Sequence, residues 1–395
     1  MEESNDKKNC KPHIVLLNVW RVVQAKGGVE KVFCDMANAL IRRGYEVTLL
    51  FCDPNQGSPG FYVDAGVRCV NSYRETILQF LYRNPWKNLR CFRIDQDKRK
   101  ILRETLESKR RAVLIGESIK LLPKVDLFVS FQAESTWILR EYLKVRTPVI
   151  TMFHSCPSYY FGEQKFSIFR DAVGKSEVLQ VLLPEFAEEV KEQFPSRRVV
   201  IIPNVAPQYV EKSDLSSKTI MTMARVSPEK RPDLLIHAFA ILMEQFPDWK
   251  CKWYGEQMEE GYLNQLQKMI RSHGLEGRFM FPGKVEHVQE CLSEAAIFAF
   301  PSSNEGFSLA MAEALSMGIP VVGCSDCISV SSLINNHTNG LLVSPEPECY
   351  AMGLKFLMEN EEARRQYGAQ GRKDMKKYSA DVVWDAWDRL IREFI

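Results

Sequence analysis

The amino-acid sequence predicts an α/β protein built of two doubly wound, Rossmann-like domains facing an interdomain cleft. Short apolar runs of strand length alternate with longer helical patterns, the signature of parallel sheets covered by helices on both faces. The alternation breaks at a polar stretch, EKSDLSSK at 211–218, and then starts afresh. With 395 residues, 45% of them hydrophobic, the chain has material for two ordinary cores, because single cores stop growing near ~250 to 300 residues.

The first domain is expected at 1–206, with strands HIVLLNV (13–19), EVTLLFC (46–52), LFVSF (127–131), PVITMFH (148–154), VLQVLL (178–183) and VVIIPN (199–204). The second, 207–378, carries TIMTMA (219–224), CKWYG (251–255), FMFPG (279–283), IFAFPS (297–302), PVVGC (320–324) and GLLV (340–343). The runs are almost continuously apolar, as strands buried on both faces must be. The last segment, SADVVWDAWDRLIREFI (379–395), sets Val382, Val383, Trp387, Leu390 and Ile391 at helical spacing and reads as a helix docking on the first domain. Ligands of doubly wound sheets bind beyond the carboxyl ends of the strands, so the chemistry is sought in those loops.

Composition excludes several classes. Lys plus Arg number 52 and Asp plus Glu 50, a net charge of +2 that is too balanced for a protein that coats nucleic acid. The start, MEESNDKKNCKPH, lacks the apolar core of a secretory signal, and no window is long enough to span a bilayer, so a cytoplasmic location is expected. Eleven scattered cysteines suit buried thiols in a reducing compartment, and the pair Cys324 and Cys327 has no second pair to complete a zinc site. Charge is uneven along the chain, with 32 basic against 24 acidic residues up to position 203 and 20 against 26 after it. Part of the excess lies at 83–111, from Arg83 and Lys87 to Arg110 and Arg111, interleaved with Trp86, Phe92 and Ile101. That stretch suits either a basic surface at the anionic inner face of a membrane or a solvated helix face.

Glu313 is one charge in the otherwise apolar run from Phe307 to Met317, which ends at a helix stop made by Gly318 and Pro320. A buried carboxylate needs a partner, which can be a structural cation or the vicinal hydroxyls of a ribose. Glu305 lies eight positions earlier, just past strand IFAFPS. The amides of Gly306, Phe307 and Ser308 at the expected helix start offer an anion site between the two. In the loop ARVSPEKRPDLL, Arg225 and Lys230 flank a turn before a helix that starts near Pro232. Arg presents a fork to a phosphate and Lys a point charge, so the pair can offset a diphosphate, while Arg231 faces water in this reading. The ligand so described contains sugar, phosphate and ribose.

In the first domain Gly27 and Gly28 stand between strand and helix, where backbone can approach a phosphate or sugar, without the full dinucleotide fingerprint that NAD would call for. His154 ends strand PVITMFH, a position facing the cleft.

Residues 305–322, EGFSLAMAEALSMGIPVV, resemble the marker of the family 4 retaining glycosyltransferases of the GT-B fold, a Glu, seven residues and a second Glu followed by G-x-P-V-V. The resemblance extends over GGVEKVFCDMANALIRRGYEVTLL, ARVSPEKRPDLLI and NGLLV. It implies that Glu305 holds the donor sugar's hydroxyls, Glu313 the ribose, Arg225 and Lys230 the diphosphate, and His154 the donor sugar or reaction centre. Gly306, Phe307, Ser308, Leu309 and Val285 complete the expected donor site with Gly27 and Gly28. One departure is that Gly255 is followed by Glu256, Gln257 and Met258, where the family often has a second small residue.

The resemblance further implies transfer of a hexosyl or N-acetylhexosaminyl group from a nucleoside-diphosphate sugar, UDP-linked by expectation, to a glycan or lipid-linked glycan, as in bacterial capsule or lipopolysaccharide assembly. No metal or other cofactor is expected, since no Asp-x-Asp pair stands at a strand end. A nucleotide-sugar-binding scaffold without turnover and a nucleotide-sugar isomerase of similar shape are the alternatives. The first has no need to offset a leaving diphosphate, and the second needs an acid and base beside the sugar.

Overall fold

A computed structural model of the chain describes residues 11–74, 96–162, 164–257, 260–285 and 287–395. Residues 83–95 of the basic stretch, together with Met258 and Glu286, lie outside the described residues, as do the side chains of 96–103. The chain forms two compact units, one comprising residues up to Ile202 and Trp384–Ile395, the other Pro203–Val383.

The first unit holds a seven-stranded, wholly parallel sheet: β1 (His13–Asn18), β2 (Glu46–Phe51), β3 (Arg68–Asn71), β4 (Leu127–Ser130), β5 (Val149–Met152), β6 (Val178–Val181) and β7 (Arg198–Ile201). Its strand order is β3-β2-β1-β4-β5-β6-β7. The helix Gly28–Arg42 follows β1 and buries Phe33, Met36, Ala37 and Leu40, the 3.6-residue period of a helix lying on a sheet. The short strand Arg68–Asn71 has no counterpart among the sequence-predicted strands, because it is an exposed edge strand without an apolar run. The helix Ala380–Arg392 lays Trp384, Trp387, Leu390 and Ile391 in the interior. Its polar side is tied to the rest of the first unit by Arg43 to Asp385 at 2.7 Å and Tyr45 to Asp388 at 2.7 Å, and the residue just past its end, Glu393, pairs with Arg198.

The second unit holds a six-stranded parallel sheet of β8 (Thr219–Met223), β9 (Lys250–Tyr254), β10 (Phe279–Gly283), β11 (Ile297–Phe300), β12 (Val321–Cys324) and β13 (Gly340–Val343). The order is β10-β9-β8-β11-β12-β13. Trp253, Phe239, Ile297 and Tyr350 lie at its core with no exposure. The sequence places the domain seam at 206 and the contacts place it at Pro203, since Ala206 N already donates to Tyr378 O at 2.9 Å and Gln208 Nε2 to Met375 O at 3.1 Å.

Both sheets wind outward in two directions from their first strand. The strand order therefore reverses between β1 and β4 in one and between β8 and β11 in the other. Such switch points leave the loops at the carboxyl ends free to diverge and make room for a ligand.

Candidate active site

At the switch point of the second sheet, the loop after β8 and the loop after β11 meet. Pro228–Lys230 makes one 3₁₀ turn, and Arg231, at φ 52°, turns the chain into the helix Pro232–Leu242. Ser303 donates both its backbone N–H, at 2.9 Å, and its hydroxyl, at 3.0 Å, to Glu229 O, which fastens one loop to the other.

Lys230 is 7% exposed and directs its ammonium at three oxygens: Glu305 Oε1 at 2.6 Å, Asn304 O at 3.0 Å and Ser302 Oγ at 3.4 Å. Ser302 Oγ also donates to Glu305 Oε1, at 3.0 Å. One carboxylate oxygen of Glu305 is thus held by a cation and a hydroxyl, while Oε2 makes no hydrogen bond among the described residues. A carboxylate anchored at one oxygen and open at the other is suited to accept hydroxyl protons from a sugar. Ser302, 1% exposed, is a member of the site that sequence reasoning missed, because it reads as the tail of strand IFAFPS.

The two arginines of the loop separate by partner. Arg231 is spent on a two-pronged pair with Asp326, at 3.0 and 2.7 Å, rather than facing water. Arg225 is more than half exposed and makes only a 3.6 Å contact with Glu229, so its fork is the freer of the two.

Glu313 lies on the helix Leu309–Ser316, whose Met311, Ala312, Ala314, Leu315 and Ser316 are buried. Leu309, Ala310 and Glu313 share the half-buried face, so Glu313 is less enclosed than the apolar run suggests. The helix closes in a Schellman turn, with Gly318 at φ 74° and Ile319 N bonded to Ala314 O at 3.0 Å. Burial and the negative charge of Glu313 together push the Tyr209 hydroxyl well above its ordinary pKa, which sets Tyr209 near Glu313.

The helix start differs from the sequence expectation. Gly306, Phe307 and Ser308 precede the first turn, and Ser308 caps it by accepting from Met311 N at 3.3 Å. The amides of Leu309 and Ala310 are the ones whose hydrogens point out of the helix end. Phe307 is buried edge-on against Tyr378, with ring centroids 5.2 Å apart, and so braces the loop. Val285 and Lys284 follow β10 at the same end of the sheet, with Lys284 3.8 Å from Glu256. The tight glycine after β9 has a steric cause: a Cβ on Gly255 would lie 1.8 Å from Ala224 O, so only glycine lets the loops after β8 and β9 approach.

In the first unit, Gly27 caps the helix Gly28–Arg42 without a side-chain bond, and both glycines are exposed. His154 follows β5 and stacks on Phe131, ring centroids 5.0 Å apart at 23°. Some of the residue reaches solvent, but its Nε2 is buried without a hydrogen-bond partner among the described residues. Desolvation pushes the His154 pKa down to about 4, so the imidazole is neutral at pH 7. Burial raises the thiol of Cys324 to about 12 and that of Cys327 above its ordinary value, which makes neither a thiolate. Among the described residues no cluster of three or more His, Cys, Asp or Glu side chains could hold a metal ion, and no helix is long and apolar enough to cross a membrane.

Residues 26–206 match the glycosyltransferase family 4 domain, and residues 208–374 match the domain of the glycosyl transferases group 1. The chain is 23% identical to an uncharacterized glycosyltransferase of Haemophilus influenzae, over 93% of this chain and 97% of the relative. It is 29% identical to an exopolysaccharide phosphotransferase of Streptomyces coelicolor, over 50% of this chain and 21% of the relative, so it spans about a fifth of that protein. A poly(ribitol-phosphate) alpha-N-acetylglucosaminyltransferase of Staphylococcus aureus is 26% identical over 51% of this chain and 41% of its own length.

Among solved structures, S. aureus TarM in complex with fondaparinux, alpha-GlcNAc-glycerol and UDP superposes with a TM-score of 0.77 at 15% identity, over 96% of this chain and 99% of that one. The pneumococcal O-GlcNAc transferase GtfA, in complex with UDP and GlcNAc, gives 0.76 at 14%, over 97% and 99%. At such identities the likeness concerns the fold. Two parallel Rossmann-like sheets with these neighbours define the GT-B fold. The chain belongs to the family-4-type glycosyltransferases, which move a glycosyl group from a sugar donor.

Proposed function

We propose that the protein is a retaining glycosyltransferase that moves a hexosyl or N-acetylhexosaminyl group from a nucleoside-diphosphate sugar, UDP-linked, to a hydroxyl of a glycan or lipid-linked glycan. The observation that carries this reading is the Lys230–Glu305 pair at the switch point, with Glu305 Oε2 open, Arg225 largely free and Glu313 on the accessible face of the next helix. Cations and a sugar-directed carboxylate at one sheet end are the complement of a donor with a diphosphate leaving group.

Sugar transfer passes through an oxocarbenium-like transition state, and the bond to the departing phosphate breaks as negative charge builds on it. Fixed cations act where that charge develops, and each is worth on the order of 2.7 to 4 kcal/mol by analogy with oxyanion donors. Lys230 and Arg225 take this role, so the chemistry proceeds without a metal. Glu305 orients the sugar, Glu313 binds the ribose, and His154, neutral at pH 7, is assigned to the donor sugar or the reaction centre. The acceptor hydroxyl attacks from the face the leaving group departs, the phosphate takes its proton, and the anomeric configuration is retained.

The first unit carries the acceptor side in this reading. A role in polysaccharide assembly on the cytoplasmic face of a membrane is supported by the basic stretch at 83–111 and by relatives such as the S. aureus enzyme. The test is nucleoside diphosphate release from UDP-glucose, UDP-galactose, UDP-N-acetylglucosamine and GDP-mannose, with and without oligosaccharide acceptors and with chelator present. Acceptor-stimulated, chelator-resistant release and a product of unchanged configuration by NMR are expected. Inverted product rejects the mechanism, and release from none of the donors rejects the reading.

A further inference from the structure

The switch point of the first sheet holds a second constellation, at the ends of β1 and β4. Asn18, wholly buried, accepts from Gln132 Nε2 at 2.7 Å and from Trp20 N at 2.9 Å through its Oδ1. Gln132 Oε1 in turn accepts from Val19 N at 3.2 Å and Ser135 Oγ at 3.3 Å. The backbone that leads out of β1 is therefore clamped by two buried amides. Asn18 Nδ2 is buried beneath it with no hydrogen-bond partner among the described residues, a cost a fold does not usually carry without a use.

Trp20 stands on this clamp with 48% of its surface exposed, while Trp249, Trp253, Trp384 and Trp387 are each 7% exposed or less. Its ring is not left to wander. Nε1 donates to Glu134 Oε2 at 3.4 Å, and Glu134, 2% exposed, is itself held by Ser108 Oγ at 2.7 Å and Arg111 Nη1 at 2.7 Å. The edge of the indole is held by a buried carboxylate that is charge-balanced by the partly exposed Arg111, while much of the indole's surface meets water.

We propose that Trp20 is the stacking platform for a pyranose ring of the acceptor, with Glu134 as the positioning residue that sets its angle. A pyranose presents a face of C–H bonds that suits an aromatic surface and an edge of hydroxyls that suits nearby amides and carboxylates. An oriented, half-open indole beside buried polar groups matches both. The inference rests on the reading that Arg225, Lys230, Glu305 and Glu313 of the second unit take the donor, which leaves this site to the sugar that receives.

Saturation-transfer difference NMR with the methyl glycosides of glucose, galactose, mannose and N-acetylglucosamine tests it. At least one glycoside should receive saturation at its ring C–H protons from the wild-type chain, undiminished by added UDP. The signal should fall at least fivefold in Trp20→Ala and be partly kept in Trp20→Phe, which preserves a ring and decides the matter should the alanine variant unfold. No transfer to any glycoside, equal transfer in Trp20→Phe and Trp20→Ala to that in wild type, or displacement by UDP overturns the proposal. Nucleoside diphosphate release in the same preparations separates the two readings: release without glycoside binding sinks the platform alone, and binding without release from any donor sinks the transferase reading.

Discussion

Lys230 and Glu305 are 75 positions apart in sequence and 2.6 Å apart in space, each at the mouth of a strand beside the reversal of strand order. The ammonium nitrogen of Lys230 lies within hydrogen-bond distance of three protein oxygens, and the Ser302 contact at 3.4 Å is the longest of the three. A phosphate oxygen that engages Lys230 is best placed to displace that bond, with the Glu305 and Asn304 contacts retained.

Lys230→Ala is expected to lower kcat by about 10²- to 10³-fold, the effect of removing one donor to developing charge. Glu305→Gln leaves the lysine with a neutral partner in a mostly buried place. It should cost about 1–3 kcal/mol of stability, below the value for a fully buried pair because Glu305 is partly accessible. Thermal unfolding and initial rates on both single variants and the double variant check this, with the double less destabilised than the sum of the singles.

Glu313→Gln should raise the donor KM about tenfold while leaving the fold intact, since the side chain lies on the half-buried face of its helix. An unchanged donor KM removes Glu313 from ribose binding.

Arg225→Ala and Arg231→Ala should differ in kind. Arg225, largely exposed, contributes to turnover, and its loss should cost about 10²-fold in rate. Arg231 is committed to Asp326, and its loss should leave the rate within about threefold and lower stability by at most about 1 kcal/mol. Side-by-side kinetics and melting curves distinguish the two.

His154 gives a pH signature. Its pKa is about 4 in the folded chain and near ~6.5 when unfolded, so between those values the unfolded state binds the extra proton. Its contribution to stability is full above about pH 6.5 and is lost as pH falls toward 4, by up to about 3 kcal/mol. Denaturant unfolding of wild type and His154→Phe across that range should diverge, the variant losing less on acidification.

Much of this was legible in the residues. Twelve of the thirteen strands coincide with apolar runs, because strands covered on both faces cannot alternate with polar residues. Arg68–Asn71 was not, since its pairing on one edge of the sheet leaves no apolar pattern. Glu305, Lys230 and Arg225 could be placed at strand ends from turn chemistry, yet their partners could not, because pairing across 75 positions depends on which strands become neighbours. Phe307 illustrates the same limit: its amide was expected at the helix start, whereas the helix begins two residues later, at Leu309, and the Phe307 ring packs against Tyr378. Trp20 carries no signal in the sequence that separates it from a core residue, and its exposure is seen only in the fold.

The helix Ala380–Arg392 has a consequence for anyone who trims the chain. The last twelve residues of the chain, most of them on this helix, contribute Trp384, Trp387, Leu390 and Ile391 to the interior of the unit that begins the sequence, not of the one they immediately follow. Deleting them would strip an apolar wall from the amino-terminal half, and aggregation of that half, rather than a clean loss of a tail, is the failure to look for in shortened versions.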